Sequence, residues 1–343
     1  MKKLAYAVIG IGGVIALLIL AESILIPFVY GVVVWFLASF IKSQIQKIPF
    51  LKKKGSNWII NSIAFLFILI VLILISSLIN SNITYLLKNS KVYAANFQKI
   101  IQDLNSVFQI DLSTQITSTI ESFDYMGILG SLANNLSGTL GDVIMIALYA
   151  VFIFSEESVI SDKIKKVFKN PEEYVRVSAI LKKMNDATSD YIRLKTQVSL
   201  LTGGVGYIFL LIMGVDVAFF WAFLIFALNY IPTIGSLTAT LFPAIFSLVQ
   251  FGEPKPFIII LVGLGIVQWF IGNVLEPKIM GRTLNLSPLV TILALIVWGA
   301  IWGITGMLLS VPITVVMVIV FSQFESTRSV AILLSENGEF DEL

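Results

Sequence analysis

Long apolar runs, separated by short polar stretches, make up most of this chain and restrict the folds open to it. Residues 4–41 are apolar except for Glu22, Ser23 and Ser39. One crossing of a bilayer by a helix needs roughly 20 residues, and this run is nearly twice that length. We therefore expect two transmembrane helices here, with the chain turning near Glu22.

Charged side chains are too scarce to cover the surface of a soluble protein. They make up 13% of the 343 residues, whereas a typical soluble domain has about 25%. Hydrophobic residues make up 57%, so most of the surface must face lipid. We predict an all-α polytopic membrane protein with eight to ten membrane segments, including re-entrant or broken helical hairpins.

Several kinds of chemistry are excluded by composition. The chain has no Cys and no His, which removes disulfides, thiolate nucleophiles, Cys/His zinc sites and imidazole acid–base catalysis. The glycines at 203–206 lie in an apolar run without a following Lys-Ser/Thr, so we expect close helix packing rather than nucleotide binding. A net charge of +2 suggests no nucleic-acid partner. We expect no enzyme activity and no cofactor.

Lysine and arginine residues concentrate in two stretches, 42–54 and 157–189. The positive-inside rule places both in the cytoplasm. Counting crossings from the N terminus puts both stretches on the same side, with 81–138 outside and both termini cytoplasmic. The lipid bilayer is therefore an expected partner. The predicted membrane topology rests on the distribution of charged residues.

The polar stretch 81–138 contains apolar residues at three-, four- and seven-residue steps, which is typical of an amphipathic helix. These residues are Leu86, Tyr93, Phe97, Ile100, Leu104 and Phe108. Two interpretations remain open at this stage. The apolar face packs on neighbouring subunits or lies at the membrane interface, or the stretch is a simple solvated helical hairpin.

The second half of the chain is apolar from 197 to 320, but Gly and Pro divide it into pieces too short for full spans. Such pieces indicate broken or re-entrant helices that line a cavity. Pro232 to Pro277 and Pro243 to Pro288 are both separated by 45 residues. This spacing predicts a repeat in which each copy supplies a hairpin with an unwound tip, and a chance alignment of helix breakers is the alternative.

Together these features divide the chain into five consecutive regions. They are 1–80, with three transmembrane helices and a Lys-rich loop; 81–138, the outer amphipathic segment; 139–189, a transmembrane helix and a basic cytoplasmic helix; 190–320, a transport domain with two Pro-broken hairpins; and 321–343, a cytoplasmic tail.

Polar residues within the apolar second half are the candidate binding residues. Asn229 and Asn273 each offer a donor and an acceptor, which suits a hydroxyl-rich or carbonyl-rich solute. Glu276 is either a cavity acid that binds substrate or a coupling proton, or a boundary residue paired with Lys278 or Arg282. The complete candidate set is Asn229, Pro232, Gly235, Gln268, Asn273, Glu276, Pro277, Arg282 and Arg193.

Three short motifs in this half resemble a known family. The chain reads Asn-Tyr-Ile-Pro-Thr-Ile-Gly at 229–235 and Glu-Pro-Lys-Ile-Met-Gly at 276–281. Further along come Leu284, Leu286 and Pro288, then Gly-Ile-Thr-Gly at 303–306 and Val-Pro at 311–312. In these motifs, and in its order of segments over essentially the whole chain, the sequence resembles the autoinducer-2 exporter family.

The resemblance implies export of the quorum-sensing signal autoinducer-2 by a secondary transporter of the bacterial cytoplasmic membrane. Some members of that family are described as Na+(Li+)/H+ antiporters, so a cation is the alternative solute. The resemblance also implies a homo-oligomer, with five copies preferred, and an elevator-like movement. An oligomeric membrane scaffold without transport is the remaining hypothesis.

Overall fold

The structure is a computed structural model, and it describes residues 2–45, 57–108, 125–280 and 285–338. The described residues form helices joined by short turns and contain no strand, which confirms the all-α fold class. The helices are α1 (Lys2–Leu20), α2 (Glu22–Ile45), α3 (Asn57–Phe108), α4 (Tyr125–Val167), α5 (Pro171–Ile212), α6 (Ala218–Leu228), α7 (Ile234–Phe251), α8 (Pro254–Phe270), a π-helical segment (Ile271–Leu275), α9 (Glu276–Met280), α10 (Pro288–Ser322) and α11 (Glu325–Leu334).

Among the described residues, six helices are long and apolar enough to cross a membrane. They cover Glu22–Ile45, Ser62–Asp103, Pro171–Ile212, Ile234–Phe251, Pro254–Met280 and Pro288–Ser322. One bent pair within α4 and two shorter apolar helices, Ile9–Leu20 and Ala218–Leu228, add to these. The chain is therefore a polytopic membrane protein, with six such spans among the described residues, or seven if the bent pair is one span.

Contacts divide the chain into two compact units. The first comprises Met1–Ile70, Gly141–Lys195 and Met280–Leu343, and the second comprises Val71–Leu140 and Thr196–Ile279. The boundaries fall inside helices α3, α4, α5 and α9. Each unit is thus assembled from separate stretches of sequence. The five consecutive regions expected from the sequence do not show this grouping.

An apolar core lies inside the second unit, where α6 packs on α7 and α7 packs on α8. Its buried members are Ile79, Ile83, Leu210, Val215, Ala218, Phe220, Trp221, Ile225, Ala239, Ala244, Ile260 and Leu264. Close approach of α5 to α6 depends on Gly203, because a methyl group there would lie 3.0 Å from the Ala222 carbonyl oxygen. The expected packing role is confirmed for Gly203 and for Gly206, where an added methyl group would lie 2.8 Å from Ile225, but Gly204 has open space around it.

The amphipathic face of α3 packs within this same unit. Ile83 belongs to the apolar core, and the Tyr93 ring meets Phe246 of α7 edge-on at 5.3 Å. Leu86 is also buried. The chain itself therefore covers part of the face, whereas Phe97 and Ile100 are only half-buried. Leu86 and Tyr93 are not solvated, and packing of the face on neighbouring subunits stays a prediction.

The chain reverses direction near Pro232, as the proline spacing predicts. Helix α6 ends at Leu228, and α7 begins at Ile234. Between them Thr233 has a φ of 61°, a left-handed value that few L-residues adopt. At Gly235 an added methyl group would overlap the carbonyl of Leu228, so only glycine fits this tight tip. The break at this motif is confirmed.

A second hairpin at Pro277 was predicted, and that prediction is wrong for the residues described. The chain is helical without interruption from Pro254 to Met280. The π-helical segment explains this continuity, because the N–H of Glu276 bonds to the carbonyl of Ile271, five residues back. This wider turn changes the hydrogen-bond register just before the proline, which has no N–H to contribute.

The second reversal lies instead inside α10. Trp302 and Gly303 have non-helical dihedral angles, and Gly303 has φ 58° and ψ −137°. The Trp298 indole donates to Thr314 Oγ1 at 3.3 Å, although 16 residues separate them. In a straight helix that separation would be about 24 Å. The arms 288–301 and 304–322 therefore fold back on each other.

The first unit holds this hairpin through contacts near its tip and along its apolar arms. The Trp302 indole donates to the Leu18 carbonyl at 3.0 Å, satisfying an acceptor at the end of α1. The Tyr30 hydroxyl donates to Thr305 Oγ1 at 3.2 Å. The buried core of this unit comprises Phe36, Tyr191, Ile192, Met280, Leu286, Val290, Val311, Val315, Val318, Ile319 and Ala331.

Candidate functional site

The hairpin of α7 and α8 brings several predicted site residues to one end of the second unit. Helix α7 has 18 residues and α8 has 17, and they pack along each other after a two-residue turn. Gly252 ends α7 with a left-handed φ of 67°, and Pro254 starts α8. Because the arms match in length, the 229–235 turn and the end of α8 lie at the same end.

Asn229 lies in this turn with its side chain buried, only 7% exposed. Its Nδ2 donates to Ser199 Oγ of α5 at 3.0 Å. The adjacent Tyr230 hydroxyl shares a hydrogen bond of 2.7 Å with Thr196 Oγ1. Thr196 and Ser199 lie three residues apart, on one face of α5. These two pairs attach the tip of the α6–α7 hairpin to α5 through neutral polar groups.

Gln268 occupies the last turn of α8 at the same end of the unit. Its side chain is 8% exposed, and its Nε2 has no hydrogen-bond partner among the described residues. A buried donor left unpaired costs about 1–3 kcal/mol, so the site has a physical requirement for an acceptor. The π-helical segment begins three residues later, and such turns are frequent at functional sites.

The remaining candidates lie in different surroundings. Asn273 is exposed, and its Nδ2 donates to the Trp269 carbonyl of its own helix at 3.0 Å. Glu276 is half-buried at the end of the π-helical segment, and Pro277 is exposed. Pro232 and Gly235 form the tip itself and shape it through their backbone.

The candidate set also contains two basic residues, and neither belongs to the described part of the second unit. Arg193 belongs to the first unit, where its guanidinium carbon lies 5.5 Å from the centre of the Phe40 ring. That geometry is a cation–π contact. Arg282 lies outside the described residues, so its pairing with Glu276 stays a prediction.

The opposite end of the second unit carries a polar cluster that sequence reasoning missed. The Tyr93 hydroxyl donates to Asp216 Oδ2 at 2.8 Å, and the Asp216 backbone N–H donates to Gln250 Oε1 at 2.8 Å. Gln250 Nε2 donates to the Gly214 carbonyl at 2.8 Å. Val217, next to Asp216, has a φ of 50°, which is strained for a β-branched residue.

A cavity of about 410 Å³ adjoins this cluster. The residues that line it include Asp216, Ser81, Asn82, Tyr85 and Tyr207. In the sequence Asp216 reads only as a turn residue beside Gly214, and its hydrogen-bond partner is 123 residues away. No local pattern connects the two, which is why the cluster was not predicted.

The fold has long apolar helices and buried neutral polar groups at a hairpin tip. Comparison with known sequences identifies the family to which this chain belongs. The sequence model of the AI-2E family transporters matches residues 4–326. The chain belongs to the AI-2E transporter family. The family resemblance read from the motifs is therefore confirmed.

Relatives of this AI-2E chain are named as transport proteins. The AI-2 transport protein TqsA of Escherichia coli K12 is 32% identical, over 92% of this chain and 90% of that protein. A candidate transport protein of Haemophilus influenzae is 29% identical over 97% of both chains. The candidate transport protein YhhT of Escherichia coli K12 is 37% identical over 60% of this chain and 57% of that protein. The chain is a multi-pass membrane transporter.

Proposed function

We propose that this AI-2E transporter is a secondary transporter that exports a small polar signal, with autoinducer-2 as the solute. We place the protein in the bacterial cytoplasmic membrane, with both termini in the cytoplasm. The name of TqsA, an AI-2 transport protein, supports the choice of solute. The Lys-rich stretches 42–54 and 157–189 support the orientation.

The unpaired Nε2 of buried Gln268 carries the proposal. It lies at the same end of the second unit as Asn229, which Ser199 holds by a hydrogen bond. Amides and hydroxyls present donors and acceptors without a net charge. A hydroxyl-rich or carbonyl-rich neutral solute can satisfy such groups, and it crosses an apolar protein at less cost than an ion.

A homo-oligomer, with five copies preferred, and an elevator-like movement complete the proposal. Family resemblance supports both. The glycine-dependent reversals at Gly235 and Gly303 supply helical hairpins of the kind from which transporters build solute sites.

A cation/proton antiporter is the second candidate, because Glu276 places a half-buried carboxylate beside the π-helical segment of an apolar helix. An ionisable group at bilayer depth usually marks an ion pathway or a pair. In that case Glu276→Gln should fold normally and lose the pH dependence of transport. Transport that keeps its full pH dependence in Glu276→Gln would exclude the coupling role.

Transport in proteoliposomes tests the proposal directly. Purified protein is reconstituted into vesicles loaded with labelled autoinducer-2, and efflux is followed with and without an imposed pH gradient. We expect gradient-dependent efflux that protein-free vesicles lack. Sodium-driven proton movement without autoinducer-2 efflux would favour the antiporter instead. No movement of either solute, from protein that is correctly folded, would leave the scaffold hypothesis.

A further inference from the structure

Helix α4 changes direction where its apolar portion ends. The segments Val143–Glu157 and Val159–Val167 meet at an angle of 62°. Transmembrane helices tilt from the bilayer normal by about 20° on average. A bend of this size therefore turns the second segment toward the plane of the membrane, at the depth where α4 leaves the hydrocarbon.

Side chains on both sides of the bend are held by specific contacts. The Trp35 indole of α2 donates to Glu157 Oε2 at 2.9 Å, on the last turn before the bend. Lys163 forms an ion pair with Glu156 across the bend. Indole rings favour the membrane–water interface, so Trp35 also marks the depth at which the helix turns.

The segment beyond the bend has one apolar face. Ile160, Ile164 and Val167 follow at steps of four and three residues, which places them on a single side of a helix. Val167 is 71% exposed and Ile160 is 43% exposed. Ile164, the middle residue of this face, is half-buried, so the chain covers the face only in part.

Exposed lysines lie on the opposite side of the segment and just after its last helical residue. Lys165, Lys166 and Lys169 are all exposed and lie within five residues of each other. Acidic side chains nearby are Asp162 within the segment, Glu156 before the bend and bonded to Lys163, Glu157 bonded to the Trp35 indole, and Glu172 and Glu173 in the first turn of α5. The two glutamates of α5 sit at a helix N-terminus, whose partial positive charge they offset.

We propose that residues 159–169 form an interfacial anchor that binds the anionic phospholipid headgroups of the leaflet at which α4 emerges. The apolar face enters the boundary between headgroups and acyl chains, and the lysines reach the headgroup phosphates. An amphipathic helix with lysines on its polar side is the sequence type that binds anionic membrane surfaces. A free phosphate compound satisfies the lysines only, whereas a lipid surface also removes Val167 and Ile160 from water. The proposal does not depend on which solute is transported.

The chain has no Cys, so a single cysteine can report on the segment in the full-length protein. Val167→Cys is labelled with an environment-sensitive fluorophore and reconstituted into vesicles of phosphatidylcholine, with or without phosphatidylglycerol. We expect a blue shift and quenching by lipid-attached nitroxides when phosphatidylglycerol is present. Salt should reverse both, because the Debye length falls from about 10 Å at 0.1 M to about 3 Å at 1 M.

Two comparisons make the result specific. Lys165→Gln, Lys166→Gln and Lys169→Gln, combined in the Val167→Cys protein, should lower the ratio of membrane-bound to free segment by about fivefold for each lysine. The matched control replaces Lys88, Lys91 and Lys99 of α3, which are equally exposed, and should leave the ratio unchanged. A label at Ser161→Cys, on another side of the segment, should stay in water.

The lipid comparison on the protein with intact lysines decides the question even if the triple variant folds poorly. Identical emission from the Val167 label in both lipid mixtures would overturn the proposal. So would a blue shift that persists without phosphatidylglycerol and resists nitroxide quenching, since that result means protein covers the face. Gel-filtration profiles that match the unmodified protein confirm that each variant is folded.

Discussion

Gln268 is a buried side chain whose unpaired amide nitrogen lowers the stability of the fold. Its buried Nε2 lacks a partner among the described residues, while the apolar helix around it offers no reason to contain an amide. A methionine of similar shape would fill the same space without an unsatisfied donor. The amide is therefore understandable if a solute or a water molecule bonds to it during transport.

Replacing this amide separates stability from transport. We expect Gln268→Met to raise the free energy of unfolding by up to about 1–3 kcal/mol, because the unpaired donor disappears. Efflux of autoinducer-2 should fall at least tenfold. Thermal unfolding and the proteoliposome assay measure the two effects, and Gln98→Met, an exposed change on α3, is the control. A less stable variant with normal efflux would assign Gln268 a structural role.

The Tyr93–Asp216 bond joins α3 to the turn before α6, and a double-mutant cycle measures its strength. A hydrogen bond to a charged acceptor contributes about 1.5–3 kcal/mol, and Asp216 is half exposed, so we expect the lower end of that range. Tyr93→Phe and Asp216→Asn should each destabilise the protein, and the double variant should lose less than their sum. Tyr85→Phe, on the exposed side of α3, should change little. Full additivity of the two single changes would show that the bond contributes nothing.

Gly303 controls the hairpin of α10 at the scale of a whole element. Its positive φ, with ψ far from the left-handed helical value, is open to glycine and strained for other residues. We expect Gly303→Ala to destabilise the protein by about 1–3 kcal/mol. Gly265→Ala is the matched control, because Gly265 is helical with open space around it and should gain about 0.5–1 kcal/mol. Equal melting temperatures for the two variants would mean that the α10 arms do not depend on this turn.

Sequence reasoning located the break at Pro232 because the proline, an asparagine and a glycine fall within seven residues there. It failed at Pro277, where a π-helical segment changes the register of backbone bonding before the proline and no composition signal announces that change. It also overlooked Thr196 and Ser199, which look like ordinary small residues until Tyr230 and Asn229 bond to them. Partners from distant parts of the chain define most of the candidate site, and a single sequence does not reveal them.

At the scale of the whole molecule, the orientation in the membrane follows from the distribution of lysine and arginine. Cysteines introduced singly at Asn89 and Lys166 should react from opposite sides of the membrane. An impermeant maleimide added to intact cells should label the Asn89→Cys protein, and the Lys166→Cys protein only after lysis. Labelling of both in intact cells would contradict the proposed orientation.

The number of copies is a separate prediction at this scale. Part of the amphipathic face of α3 is buried within its own unit, so that face gives little support to an oligomer, and the expectation of five copies rests on family resemblance. Native mass spectrometry in mild detergent should give one species larger than the monomer of 37.9 kDa. A monomer that is stable and transports its solute would refute the prediction.

Helix α3 also has a practical consequence for anyone who wants to image or capture this protein. Its continuous stretch Ser62–Asp103 has 42 residues, which at 1.5 Å each gives about 63 Å, roughly twice the hydrocarbon thickness of a bilayer. A continuous helix of that length is too long to lie within the hydrocarbon across one crossing. A rigid fusion partner or a nanobody attached near Lys99, which is exposed, would give a particle of this size the external landmark that image alignment needs.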